Sequence, residues 1–147
     1  MKAFRFRLDS VLTLRNWEEE RARTAYGLAL QQERRFIDQL RAVEARIDRD
    51  TTIMRQSAEV ALPAGERASR WRHLLLLERE RTDTHQKLLT ARRFREQKMK
   101  LLIDAHRRVQ VLDTLKTRQK QAHAADVQRR EERELDELVS ARFQPDL

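Results

Sequence analysis

Cysteine is missing altogether from this chain of 147 residues, and glycine and proline occur only twice each. Without cysteine there is no disulfide, no thiolate metal site and no cysteine nucleophile. Glycine and proline usually make up about 7% and 5% of a chain. A sheet protein draws on them at its many turns, so this sequence has punctuation for only a few long elements. Aromatic residues are 5% of the chain, too little bulky apolar material to fill a compact core of this length. An elongated shape that buries a narrow seam is the expected solution. No run approaches the roughly 18 apolar residues that a membrane span requires. The longest, Leu74 to Leu77, is bounded by Arg72, His73, Glu78 and Arg79. No apolar stretch follows the basic N-terminus to act as a signal peptide, and a cytoplasmic location is the default expectation.

Charge is what the sequence has in abundance. Charged residues make up 38% of it, with a net charge of +8 and a pI near 10.7. That balance favours an acidic partner, whether nucleic acid, anionic membrane or acidic protein. The apolar residues fall at alternating steps of three and four. From Leu12 the series runs through Arg15, Glu19, Ala22, Tyr26, Ala29, Glu33, Phe36, Leu40, Val43, Ile47, Asp50, Met54 and Ser57 to Ala61. Ten of these fifteen residues are apolar, which is the heptad seam of a left-handed supercoil. Asp9 or Ser10 is placed to cap this first helix.

Leu62-Pro63-Ala64-Gly65 is the only strong breaker in the middle of the chain. Proline pushes the residue before it out of the helical region, and Gly65 is free to turn the chain. A second helix is expected soon after, with Ser69 as a possible cap. Its seam is read through Trp71, Leu74, Leu88, Met99, Leu102, Val109 and Leu112, with Arg92, Arg95 and His106 on the same stripe. A phase slip is expected after Leu112, with Leu115 and Ala122 continuing the seam.

The expected fold is all-α: a single domain over residues 1–147, built as a long antiparallel two-helix coiled-coil hairpin. Helix one spans about 9–61, the turn about 62–66 and helix two about 67–141, with a short C-terminal tail containing Phe143 and Pro145. At about 1.5 Å per residue the helices measure roughly 80 and 110 Å. Pairing outward from Pro63 brings the start of helix one to about Gln119. Helix two then overhangs, exposing Leu135, Leu138 and Val139 to a partner.

Catalytic constellations do not form. His73, His85, His106 and His123 have no pair at the three- or four-residue spacing of a helical metal site. Gly27 and Gly65 stand alone rather than in a phosphate-cradling loop, and no serine sits in a nucleophile elbow. The expectation is a protein that is not an enzyme, with no cofactor, metal or small-molecule substrate.

Two charged segments stand out. Residues 91–120 hold ten cations, Arg92, Arg93, Arg95, Arg107 and Arg108 among them, against three acids. Such a stripe either solvates the coil or docks an acidic surface. Nucleic acid is the weaker reading, because Phe94 alone interleaves among the cations to stack on bases. Residues 126–137 reverse the sign, with three arginines against six acids. Four consecutive leucines after Trp71 cover more than one stripe, so some must point away from helix one.

The opening Phe-Arg-Phe-Arg-Leu-Asp-Ser-Val-Leu-Thr-Leu-Arg (residues 4–15) resembles the F-x-F-x-L-x-x-[VL]-L-x-[LI]-[RK] start of the flagellar export protein FliJ family. Val-Leu-Asp-Thr-Leu-Lys-Thr-Arg-Gln (111–119) and Glu-x-x-Glu-Leu-Asp-Glu-Leu (131–138) are similar to that family's closing pattern. The family's pattern commonly has lysine where this chain has Glu134. The resemblance implies an antiparallel coiled coil like the terminal helices of the rotary ATP synthase γ subunit. It implies a non-enzymatic stalk of type III protein export, joining the flagellar export ATPase hexamer to the cytoplasmic domain of the export gate and binding export chaperones. By the same resemblance, Phe4, Phe6, Leu8, Glu131, Leu135, Asp136 and Glu137 face the ATPase ring. Trp71, Leu75 and Leu77 are assigned to the gate by location. The protein is then expected in the bacterial cytoplasm, peripheral at the inner-membrane face of the flagellar base. The rival readings are the equivalent stalk of a virulence secretion system, a basic nucleic-acid-binding coiled coil, and a structural homodimer.

Overall fold

In a computed structural model, which describes residues 2–143, two helices account for nearly all of the chain: α1 (Asp9–Ser57) and α2 (Ala64–Arg142). No strand occurs among the described residues. The helices pack against each other as an all-α hairpin. Their partners run in opposite order: Asp50 meets His73, Arg46 meets Glu80, Glu33 meets Arg92, Glu19 meets His106 and Asp9 meets Lys116. The chain falls into two compact units. One comprises residues 1–20 with 103–147, the other residues 21–102.

The seam read from the sequence of α1 is the buried face of α1. Every position in the series from Leu12 to Ser57 is buried or half-buried, whether the residue is apolar or charged. The helix stops at Ser57, before Ala61, whose side chain is exposed. Its last carbonyls are closed by tight turns, with Glu59 N–H donating to Gln56 and Val60 N–H to Ser57. Pro63 then takes the position before α2, where its missing N–H costs nothing. Its carbonyl accepts from Glu66 and Arg67 N–H at 3.1 and 3.2 Å. The reversal therefore lies in residues 58–63. Gly65 sits inside the first turn of α2 with no positive φ, and Ser69 lies within that helix rather than at its cap.

The seam of α2 differs from the sequence reading in phase. Leu74, Leu88, Arg95, Leu102, Val109 and Leu112 lie on it as expected. Trp71, Arg92, Met99 and His106 are exposed, one residue past it. Arg70, Ala91, Lys98 and Ala105, one residue earlier, hold the inward face, which Leu77 and Thr84 share. The inward face keeps the three-four spacing except at exposed Arg81 and Gln119, and reaches His123 with Leu115 and Lys116 both half-buried. Ala122 is exposed. Small and polar residues at inward positions carry little hydropathy, which is why the periodicity was read one step off.

Two apolar clusters anchor the units. In unit 21–102, Val43, Ile47 and Leu77 form a buried group with Leu74 against it. Leu77 is only 2% exposed. In the other unit, Phe6, Leu12 and Val109 are buried together, with Phe4, Leu112 and Leu115 packed around them. Each fully buried leucine or phenylalanine contributes roughly 1.5–3 kcal/mol. The exposed cross-helix pair Arg46–Glu80, at 2.9 Å, contributes only about 0.2–1 kcal/mol and serves register more than stability.

Candidate functional site

The N-terminal segment shows how the end of the hairpin is made. Phe6 lies against Val109 and Leu12, while Phe4 stacks its ring at a tilt on His123, 5.7 Å between centroids. The alternation of Phe4, Phe6 and Leu8 with Arg5 and Arg7 puts the rings inward and the guanidinium groups outward. Leu8 itself is exposed. Its carbonyl accepts the first helical bond of α1, from Leu12 N–H at 2.9 Å, so Leu8 is the cap position and Asp9 belongs to the first turn. The Asp9 carboxylate is occupied by Lys116 Nζ at 3.0 Å, and that ammonium also lies 5.9 Å from the Phe6 ring.

Beyond His123 and the half-buried Val127, α2 continues with every described side chain exposed. This is the overhang. Its charge changes sign relative to residues 91–120, as read from the sequence. Its apolar face also changes direction. The positions that would continue the seam are Asp126, Arg130, Arg133, Glu137 and Ser140, all polar. Leu135, Leu138 and Val139 fall on the opposite side of the helix and are 61%, 66% and 54% exposed. The overhang is therefore not a seam waiting for a longer α1. It presents a separate surface, with Glu131, Glu134 and Asp136 around it. Pro145 and the end of the expected tail lie outside the described residues.

The residues assigned toward the gate divide. Trp71 and Leu75, one helical turn apart, are exposed, whereas Leu77 is sealed in the seam against Val43 and Ile47. Leu76 is the third exposed apolar residue of that stretch. Trp17 is exposed on α1 and Val111 on α2. Sequence reasoning did not single out either one, although each lies off the heptad seam in an otherwise regular pattern, and that was the available signal.

The basic stripe is partly spoken for. Arg92 contacts Glu33 at 3.3 Å, and Arg95 makes an ion pair with the same carboxylate. Burial works against the Arg95 guanidinium, but Glu33 and a hydrogen bond to the Tyr26 hydroxyl outweigh it and raise its pKa above the ordinary arginine value. A charge inside the seam is thus fixed by its partner. Glu19, 8% exposed, lies with its Oε1 at hydrogen-bond distance, 2.9 Å, from His106 Nδ1. Arg93, Arg107 and Arg108 are exposed. Unit 21–102 holds nineteen cations against eleven acids, the whole net charge of the chain. The other unit balances at thirteen of each.

No group of three or more histidine, aspartate or glutamate side chains is placed to hold a metal among the described residues. No helix there is long and apolar enough to cross a membrane. The fold defines an all-α helical-hairpin protein. Residues 4–146 match the family described as Flagellar FliJ protein. The chain belongs to that family, and so to flagellar biogenesis and protein export. Curated proteins and solved structures gave no match.

Proposed function

We propose that this chain is a non-enzymatic stalk of the flagellar type III export apparatus, working at the cytoplasmic face of the inner membrane. It binds the export ATPase hexamer through one end of the hairpin and the export gate through the turn-bearing unit, and it receives export chaperones on its exposed flanks. The observation that carries the reading is the overhang, an extended helical end whose apolar stripe faces away from its own hairpin. A single helix is narrow enough, at about 10–12 Å with side chains, to enter a ring that a helical pair would not.

Glu131, Leu135, Asp136 and Glu137 form the ring-facing surface, together with the end of the hairpin that carries Phe4 and Leu8. Phe6, seated against Val109, holds that end together from inside. Trp71 and Leu75 face the gate, and Leu77 stiffens the helix beneath them by its grip on α1. The exposed members of the basic stripe, Arg93, Arg107 and Arg108, dock acidic protein surfaces. Membership of a flagellar family favours this reading over a virulence-type stalk.

The test is to titrate the purified chain into purified export ATPase. Hexamer assembly and ATP turnover are expected to rise. A Glu131→Lys, Asp136→Lys, Glu137→Lys variant is expected to lose most of the effect with its helical circular dichroism unchanged. An ATPase indifferent to the wild-type chain contradicts the proposal.

A further inference from the structure

A groove opens along one flank of unit 21–102, with a volume of about 470 Å3, between Phe36 on α1 and Ala91 and Phe94 on α2. Its floor is apolar. Its rim is basic: Lys87 lines it, Lys98 Nζ lies 5.1 Å over the Phe94 ring, and exposed Arg93 adjoins it. The unit around it carries all of the +8 net charge. The matching ligand is an acidic helix with a short apolar stripe, and the chain itself contains one. Residues 126–137 oppose six acids to three arginines, and Leu135, Leu138 and Val139 project from the same segment with more than half of each side chain exposed.

From this complementarity we infer that two copies of the chain associate head to tail, the overhang of one seated in the Phe36–Phe94 groove of the next. One wall of the groove and the overhang both belong to α2. The contact joins different patches on the two copies, is heterologous, and leaves a free groove at one end and a free overhang at the other. Leu135 and Leu138 fill the apolar floor, and the surrounding carboxylates meet Lys87, Arg93 and Lys98. Opposite net charges on the two patches speed encounter and set polarity. Two copies joined through their overhangs are disfavoured by like charge.

For the stalk, and resting on the reading above, a seated overhang is withheld from the ATPase ring. Self-association is then a stored form that the ring must outcompete.

The test is sedimentation of the full chain over a range of concentrations. It is run at about 0.1 M salt, where the Debye length is roughly 10 Å, and at about 1 M, where it is roughly 3 Å. Concentration-dependent association is expected, weakened about tenfold or more at the higher salt. An overhang variant, Leu135→Asp with Leu138→Asp, and a groove variant, Lys87→Glu with Phe94→Ser, are each expected to be monomeric with wild-type helicity. Mixed one to one they are expected to give a dimer, since each retains the half that the other lacks. A wild-type chain that stays monomeric throughout overturns the inference. So does association that survives either variant, or a mixture that remains monomeric. A monomeric chain that instead binds duplex DNA through Lys87 and Arg93 also overturns it, assigning the basic rim to a polyanion. The groove variant leaves the overhang intact, so it is expected to keep ATPase stimulation. Lack of stimulation by the wild-type chain sinks the stalk reading and leaves the self-contact standing.

Discussion

Truncation after Arg130 is expected to reduce stimulation of the export ATPase to the level without the chain, while the remaining residues keep their helicity. Every described residue removed is exposed, so the deletion takes nothing from either apolar cluster and breaks none of the cross-helix ion pairs. What it removes is the surface that has no function within the hairpin. Burying a leucine is worth roughly 1.5–3 kcal/mol. Loss of Leu135 and Leu138 together should weaken a complex that uses them by about a hundredfold, even after discounting for the cost of association. Helical circular dichroism and ATPase assays on the same preparation separate the two effects. Stimulation that persists in the truncated chain places the ring contact elsewhere, with the exposed Trp17 of α1 the next surface to examine.

Replacing Phe6 by alanine is expected to have the largest effect on stability, about 3–5 kcal/mol, as for phenylalanine deletions in packed cores. Phe6 is 5% exposed between Leu12 and Val109. Opening free energies differ between parts of a protein, so the loss should concentrate in residues 1–20 with 103–123. Hydrogen exchange reads this directly. The Leu12 amide, bonded to Leu8 in the wild type, should exchange faster by two to three orders of magnitude, while amides around Leu77 keep their protection. Uniform deprotection of both regions would mean that the two clusters unfold as one. Function should suffer in the same variant without any change to the overhang, because the clamp of Phe4 and Phe6 on α2 determines where α1 begins and hence how much of α2 is left unpaired.

The hairpin was legible because the strongest signals in the sequence are the ones that build it. The three-four spacing from Leu12 to Ser57 is independent of residue type at any one position, so polar members such as Glu19 and Glu33 did not obscure it. Proline at 63 located the reversal. On α2 the inward face is built from Thr84, Ala91, Lys98 and Ala105, residues that read as neutral or outward, while Trp71 and Met99 read as inward and are not. Hydropathy alone gave the wrong phase by one residue there. The polar seam residues become intelligible only with their partners: Glu33 with Arg92 and Arg95, Glu19 with His106. Cross-helix pairs separated by 59 and 87 residues leave no local trace in a sequence. The projecting end of α2 was legible from the position of Pro63 in the chain. The burial of Phe6 and Leu77 was not, because a motif tells which residues matter and not which way they face.

The chain reverses once and brings the start of α1 to Lys116, leaving α2 beyond Val127 unpaired. With no native cysteine, nitroxide labels can be attached solely at Asp9→Cys and Lys116→Cys, positions whose native side chains touch at 3.0 Å. Dipolar spectroscopy should report a short, narrow distance that is unchanged when labelled chains are diluted into an excess of unlabelled ones. A coupling that disappears on dilution, or a broad distribution at long distance, would show that the two positions meet only between chains or not at all.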